Sequence, residues 1–167
     1  MTLLNTDRLL LDFISENDAP FLHQLMNNPS FIKNIGDRNI KTIGDAKNFI
    51  KSRFLKSYKH NGYGYYIIKI KETNEPIGFC GLVNRIELDI IDIGYALLPK
   101  FTSKGFAFEA TKALYNYAQQ TLNIPKIAAI IEPTNTKSLA LIKKLGLKYK
   151  KKVQLPEEDI ECLLYSN

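Results

Sequence analysis

Residues 91–110 constrain the fold more than any other stretch: I-D-I-G-Y-A-L-L-P-K-F-T-S-K-G-F-A-F-E-A. The first part, to Leu98, is apolar and β-branched at its start, which reads as a strand closed by Pro99. A short polar turn follows over residues 100–104. Gly105 then opens a long amphipathic helix, with Ala107, Ala110, Thr111, Leu114, Ala118 and Leu122 at helical spacing. Strand, glycine turn and helix start together can form an anion cradle. The first N–H groups of a helix lack intrahelical partners, and the dipole there favours negative charge. Gly105 leaves room for close backbone approach, and Lys104 adds a cation. The N–H groups over Ser103, Lys104, Gly105, Phe106 and Ala107 are therefore candidates to hold a phosphate or pyrophosphate. A junction of this kind also arises wherever a chain must turn. Neither the Walker pattern nor G-x-G-x-x-G is present, since Phe106 follows Gly105.

With 167 residues the chain has the length of one domain, 1–167, and can bury a sizeable core. No apolar run approaches the roughly 18 residues of a membrane helix. The N-terminal residues lack the basic start and long apolar middle of a secretion signal, so the expected location is the cytoplasm. Cys80 and Cys162 are too far apart for a metal pair or a disulfide framework, and His23 and His60 stand alone; no metal site is expected. The net charge of +6 is concentrated late, in Lys137, Lys143, Lys144, Lys148, Lys150, Lys151 and Lys152. A solvated lysine face is the favoured reading. Nucleic acid is disfavoured as a partner, because the cluster has no arginine and only Tyr149 as an aromatic. Oligomeric state is not readable.

Along the chain, residues 8–14 read as a first strand. Ser15 and Asp18 mark a helix start, and Thr42 and Asp45 mark another, with aperiodic, loop-like residues 30–41 between them. Strands follow over 63–71, 76–83 and 90–98, the first two joined by a tight turn. After the long helix, residues 126–132 read as a strand parallel to its predecessor, because a helical crossover joins them. A short helix spans 138–145, and a final hairpin spans 147–155 and 160–165 around the acidic turn Pro156-Glu157-Glu158-Asp159. The order β-α-α-β-β-β-α-β-α-β-β predicts an α/β fold, a single-domain mixed sheet flanked by helices.

T-D-R-L-L-L, P-I-G-F-C-G-L, D-I-G-Y-A-L-L-P, K-G-F-A-F-E-A and N-T-K-S-L-A-L-I-K-K-L-G-L occur in this order across nearly the whole chain. In that order and spacing the chain resembles the GNAT N-acetyltransferase superfamily, and within it the branch of ribosomal-protein N-terminal acetyltransferases and their small-molecule relatives. The resemblance implies acetyl transfer from acetyl-coenzyme A to a primary amine, on a protein N-terminus or a small molecule, without a metal. It makes residues 102–107 the pyrophosphate loop. Gly105 and Ala107 match the usual pattern; Thr102 replaces the usual Gln or Arg, and Ser103 replaces a frequent Gly. It gives Asn135 a contact to the coenzyme, while helix capping suits the same residue. It sets Ser138 near the thioester sulfur and puts Ile142 where other branches carry a tyrosine acid. It also gives the strand around Tyr95, Ala96 and Leu97 the backbone contacts to the acetyl and pantetheine groups.

The general base is open among Asp92, Glu109 and Glu132. Asp92 stands where that branch often has Glu, on an otherwise apolar strand, so it is the first candidate, acting directly or through one water. Glu109 equally suits the dipole of its helix. Residues 27–41 and 155–160 match regions lining the acceptor cleft in the family, and Glu157, Glu158 and Asp159 could attract a cationic amine, although a solvated turn explains them as well. Two rival classes remain: a coenzyme-binding module without turnover, and a ribosome- or RNA-associated binding protein.

Overall fold

The computed structural model describes residues 1–155 and 160–167. The chain opens with two antiparallel strands, β1 (Thr2–Asn5) and β2 (Leu9–Phe13). Only β2 falls within the predicted first strand. β1 has four residues and no fully buried side chain, so it carries too little pattern to read in advance. It is held in part by Thr2, whose hydroxyl donates to Asp12 Oδ1 at 2.8 Å. A one-turn 3₁₀ segment, Glu16–Asp18, leads into α1 (Ala19–Met26), as Ser15 and Asp18 predict; Ser15 N–H donates to the Asp18 carboxylate at 2.8 Å.

Residues 30–41 are not all loop. They begin inside α2 (Pro29–Ile35), where Pro29 fits the first helical position and Asn28 Oδ1 accepts the Ser30 N–H at 3.0 Å. Two turns that bury only Phe31 produce no apolar stripe, which is why periodicity missed the helix. The next helix is capped by Thr42 and runs as α3 (Ile43–Phe49), a wider π-type stretch (Ile50–Leu55) and α4 (Lys56–Asn61). Then come β3 (Tyr65–Ile70), β4 (Pro76–Arg85), β5 (Ile90–Leu97), α5 (Phe106–Gln120), β6 (Ile127–Ile131), α6 (Thr136–Lys144), β7 (Lys148–Gln154) and β8 (Glu161–Ser166). The predicted order is thus corrected by an added first strand and by α2. The acidic turn of Pro156, Glu157, Glu158 and Asp159 lies outside the described residues.

All eight strands form one mixed sheet, ordered β1-β2-β3-β4-β5-β6-β8-β7. Among the described residues only β5 and β6 pair in parallel, as the helical crossover between them predicts. The edge strand β7 exposes Lys148, Lys150, Lys151 and Lys152. Charged side chains on an edge discourage pairing with another chain, which accounts for much of the late lysine cluster.

The two faces of the sheet pack differently. One face carries Ile93, Tyr95 and Leu97 of β5 against Ala110, Leu114 and Ala118 of α5 and Leu141 and Ile142 of α6. The other carries Ala96 against Leu22, Leu25, Ala46 and Ile50 of the early helices. Leu114 is fully buried, and each leucine removed from water in this way contributes about 1.5–3 kcal/mol. The alternation along β5 therefore divides its side chains between an α5/α6 face and an α1/α3 face.

Candidate active site

The turn before α5 is built from left-handed backbone. Ser103 has φ 61° and Gly105 has φ 82°. Alternating hand in successive residues turns neighbouring N–H groups toward one concavity, an arrangement suited to anions. At Ser103 this explains why a glycine is frequent there in the family the sequence resembles. Gly105 caps α5 by backbone alone, with no side chain hydrogen-bonded to the first turn. A Cβ at Gly105 would lie 3.2 Å from Arg8 Nη2, the end of a half-exposed side chain, so it is the positive φ more than the space that favours glycine there. Thr102 turns inward, its hydroxyl donating to Pro99 O at 2.8 Å. It thus braces the turn instead of replacing the missing Gln or Arg. Lys104 is exposed on the turn.

Beyond this turn, β5 and β6 part. Their parallel register comprises Ile91↔Ile127 and Asp92↔Ala128 and goes no further, while β6 continues along β8. Among the described residues, β5 from Ile93 to Leu97 is paired only with β4. Leu98 N–H donates to Ile77 O at 2.9 Å, and antiparallel bonding alternates residue by residue. In that alternation Gly94 and Ala96 direct N–H toward β4, whereas Tyr95 and Leu97 direct N–H into the gap. Of the predicted backbone contacts, Tyr95 and Leu97 are oriented as donors to the gap; Ala96 is not.

The Tyr95 side chain has a role the sequence did not announce. Its hydroxyl lies 3.0 Å from Ser138 Oγ on α6. Burial pushes the phenol pKa up, outweighing the opposing effect of the Ser138 hydrogen bond, so Tyr95 keeps its proton at neutral pH. A tyrosine acid is absent at Ile142, but a tyrosine reaches the start of α6 from the strand. Asn135 caps α6, its Oδ1 accepting the Ser138 N–H at 3.2 Å.

The three carboxylate candidates separate clearly. Asp92 is buried, but it has partners. Its Oδ2 accepts from Arg85 Nε at 3.1 Å and Nη2 at 3.0 Å, and its Oδ1 accepts the Ile130 N–H at 3.2 Å. Arg85 sits diagonally across the β4–β5 register, which pairs Val83 with Asp92; that register is the signal from which the partner could have been found. The Ile130 bond comes just past the last β5–β6 pair, so the side chain of Asp92 takes a β6 donor where the ladder ends.

Glu109 faces the N-terminal segment. It accepts from Thr6 Oγ1 at 2.7 Å and from Arg8 N at 2.9 Å and Nε at 2.7 Å. Burial alone would raise its pKa, but the bonds from Thr6 and Arg8 outweigh it and hold the carboxyl below its ordinary value. Glu132 accepts from the Thr134 hydroxyl at 2.9 Å in the turn after β6. Glu157, Glu158 and Asp159 lie outside the described residues.

Asp92 and the Tyr95–Ser138 pair thus occupy opposite faces of β5, with the gap between them. On the Asp92 face, the Tyr65 phenol oxygen comes within 3.6 Å of the point a Cβ on Gly94 would occupy. Burial, and then the charge of Asp92, push that phenol up to about 12. Tyr65, Arg85 and Arg8 lie at the candidate site, and sequence reasoning gave them no role.

Comparison with known proteins identifies the family and the fold. Residues 8–148 match the family described as the acetyltransferase (GNAT) domain. The chain is 34% identical over 148 residues to the uncharacterized N-acetyltransferase p20 of Bacillus licheniformis, covering 87% of this chain and 82% of that protein. The fold is similar to that of an acetyltransferase from Agrobacterium tumefaciens, with a TM-score of 0.84, 24% identity and coverage of 100% of this chain and 94% of that one. It is also similar to RimL, a ribosomal L7/L12 α-N-protein acetyltransferase solved with coenzyme A, with a TM-score of 0.84, 18% identity and coverage of 100% and 97%. The chain belongs to the GNAT family, the acetyl-CoA-dependent N-acetyltransferases.

Proposed function

We propose that this protein transfers the acetyl group of acetyl-CoA to a primary amine, either a protein N-terminus or a small molecule, across the gap where β5 leaves β6. The parting of these strands after Asp92 carries the reading, because it leaves backbone donors in the middle of a sheet without strand partners among the described residues. The chain fits the coenzyme on its own observations: a left-handed turn at Ser103 and Gly105, a helix start without a side-chain cap, and a glycine at positive φ that leaves the backbone open to close approach. RimL, similar in fold, was solved with coenzyme A, which supports the same use here.

Bound acetyl-CoA supplies a thioester carbonyl as the electrophile. Ser103, Lys104, Gly105, Phe106 and Ala107 hold the pyrophosphate through backbone N–H groups and the charge of Lys104. Asn135, besides capping α6, contributes its side-chain amide to the coenzyme. Tyr95 and Leu97 N–H groups stabilise negative charge on the carbonyl oxygen as the amine adds. Ser138, backed by the protonated Tyr95 phenol, gives a proton to the departing thiolate. The acceptor enters from the opposite face, past Tyr65 and Gly94. With both oxygens of Asp92 engaged, that residue is assigned to holding the strand geometry, and the ammonium proton passes to water.

Thiol release from acetyl-CoA, followed with a thiol-reactive dye, tests this against a panel of short peptides with free N-termini, polyamines and simple alkyl and aryl amines. Amine-dependent release on at least one class is expected. Coenzyme binding with no release on any class would favour the non-catalytic module instead.

A further inference from the structure

We propose that Arg8 is a positioning residue for the coenzyme loop, a strut from the N-terminal strand pair that holds the turn at 104–106 in its anion-receiving form. The inference rests on the reading that this loop takes the pyrophosphate. Arg8 lies in the connection between β1 and β2, far from the loop in sequence. Its guanidinium nevertheless reaches that turn, contacting Lys104 and Phe106 and lying close to Gly105. Nη1 donates to Lys104 O at 3.1 Å, Nη2 stands 3.2 Å from the position of a Gly105 Cβ, and the guanidinium carbon lies 4.5 Å from the centre of the Phe106 ring. Nε completes the set with Glu109 Oε2 at 2.7 Å, one turn into α5.

Two consequences favour an anion. The Lys104 carbonyl is an acceptor that would repel a phosphate, and Arg8 gives it a donor. Glu109 puts a negative charge in the first turn of the helix that must receive another, and Arg8 neutralises it. Thr6 and the Arg8 N–H fix the other carboxylate oxygen, so the pair is oriented from both ends. The Arg8 side chain is 49% exposed, and ion pairs so exposed contribute little to folding. The contacts are therefore better suited to shaping the loop than to stabilising the fold, and the two roles separate experimentally.

The test measures affinity for coenzyme A by calorimetry and for pantetheine, which lacks the pyrophosphate and nucleotide, by ligand-observed NMR. It compares the parent with Arg8→Gln, Arg8→Lys and Gly105→Val, with thermal melts alongside. Arg8→Gln is expected to weaken coenzyme A about tenfold, leave pantetheine unchanged and shift the melt little. Arg8→Lys keeps the charge but not the planar fork, so it should fall between; it also carries the test if Arg8→Gln does not fold. If Gly105→Val weakens coenzyme A while Arg8→Gln and Arg8→Lys do not, the strut is wrong and the loop reading stands. If Gly105→Val has no effect, the loop reading falls and the strut with it. Equal weakening of both ligands by the Arg8 variants would mean general damage, and would also overturn the proposal.

Discussion

Ser103 holds a side chain in left-handed backbone at φ 61°, where most residues other than glycine are strained by about 1–2 kcal/mol. Glycine would relieve that strain but lose more entropy on folding. We expect Ser103→Gly to stabilise the protein by up to about 1 kcal/mol in urea unfolding, with coenzyme affinity retained. A clear loss of stability would mean that the serine side chain does more in the turn than tolerate it. Asp92 was legible as a carboxylate on an apolar strand, and from that alone it looked like a base awaiting a proton. Its partners were not legible, because Arg85 becomes a neighbour only once the β4–β5 register is known and Ile130 only once β6 lies alongside. Asp92→Asn should therefore cost about 1–3 kcal/mol of stability, since it weakens the charge-assisted bonds from Arg85 and the bond from the Ile130 N–H. The acidic limb of the pH–rate profile should stay where it is. If that limb moves or vanishes while stability holds, Asp92 is the base after all.

Among the elements, those with a strong apolar period were readable: β4, β5 and α5 lie within a few residues of where the pattern placed them. The strand β1 and the helix α2 were not, because each buries at most one side chain and gives no period to detect. The meeting of β5 with α6 was half visible. Tyr95 and Ser138 were each singled out, but for separate reasons, and only the packing of α6 over the sheet brings their hydroxyls to 3.0 Å. If the pair acts as one proton donor, Tyr95→Phe and Ser138→Ala should each lower turnover roughly 10- to 100-fold on a good acceptor. Coenzyme affinity should change less than about twofold, and the double variant should be little worse than either single one. Unaltered turnover in both single variants would reduce the contact to packing.

At the scale of the whole molecule, the two faces of one sheet carry different parts of the candidate site. The α5/α6 face carries the turn at Gly105 and the Tyr95–Ser138 pair, and the α1/α3 face carries Asp92, Gly94 and Tyr65. The opening between β5 and β6 connects them. Sequence order predicted the parallel neighbour of β5 but could not show where the pairing stops, since register depends on side chains contributed by several strands. No helix among the described residues is long and apolar enough to cross a membrane. The central claim is that the turn before α5 receives the pyrophosphate of acetyl-CoA, and titration calorimetry tests it most directly. Acetyl-CoA should bind the parent and bind Gly105→Val at least about tenfold more weakly, a difference of about 1.4 kcal/mol or more. Equal affinity of the two proteins, with both folded by thermal melt, would contradict it.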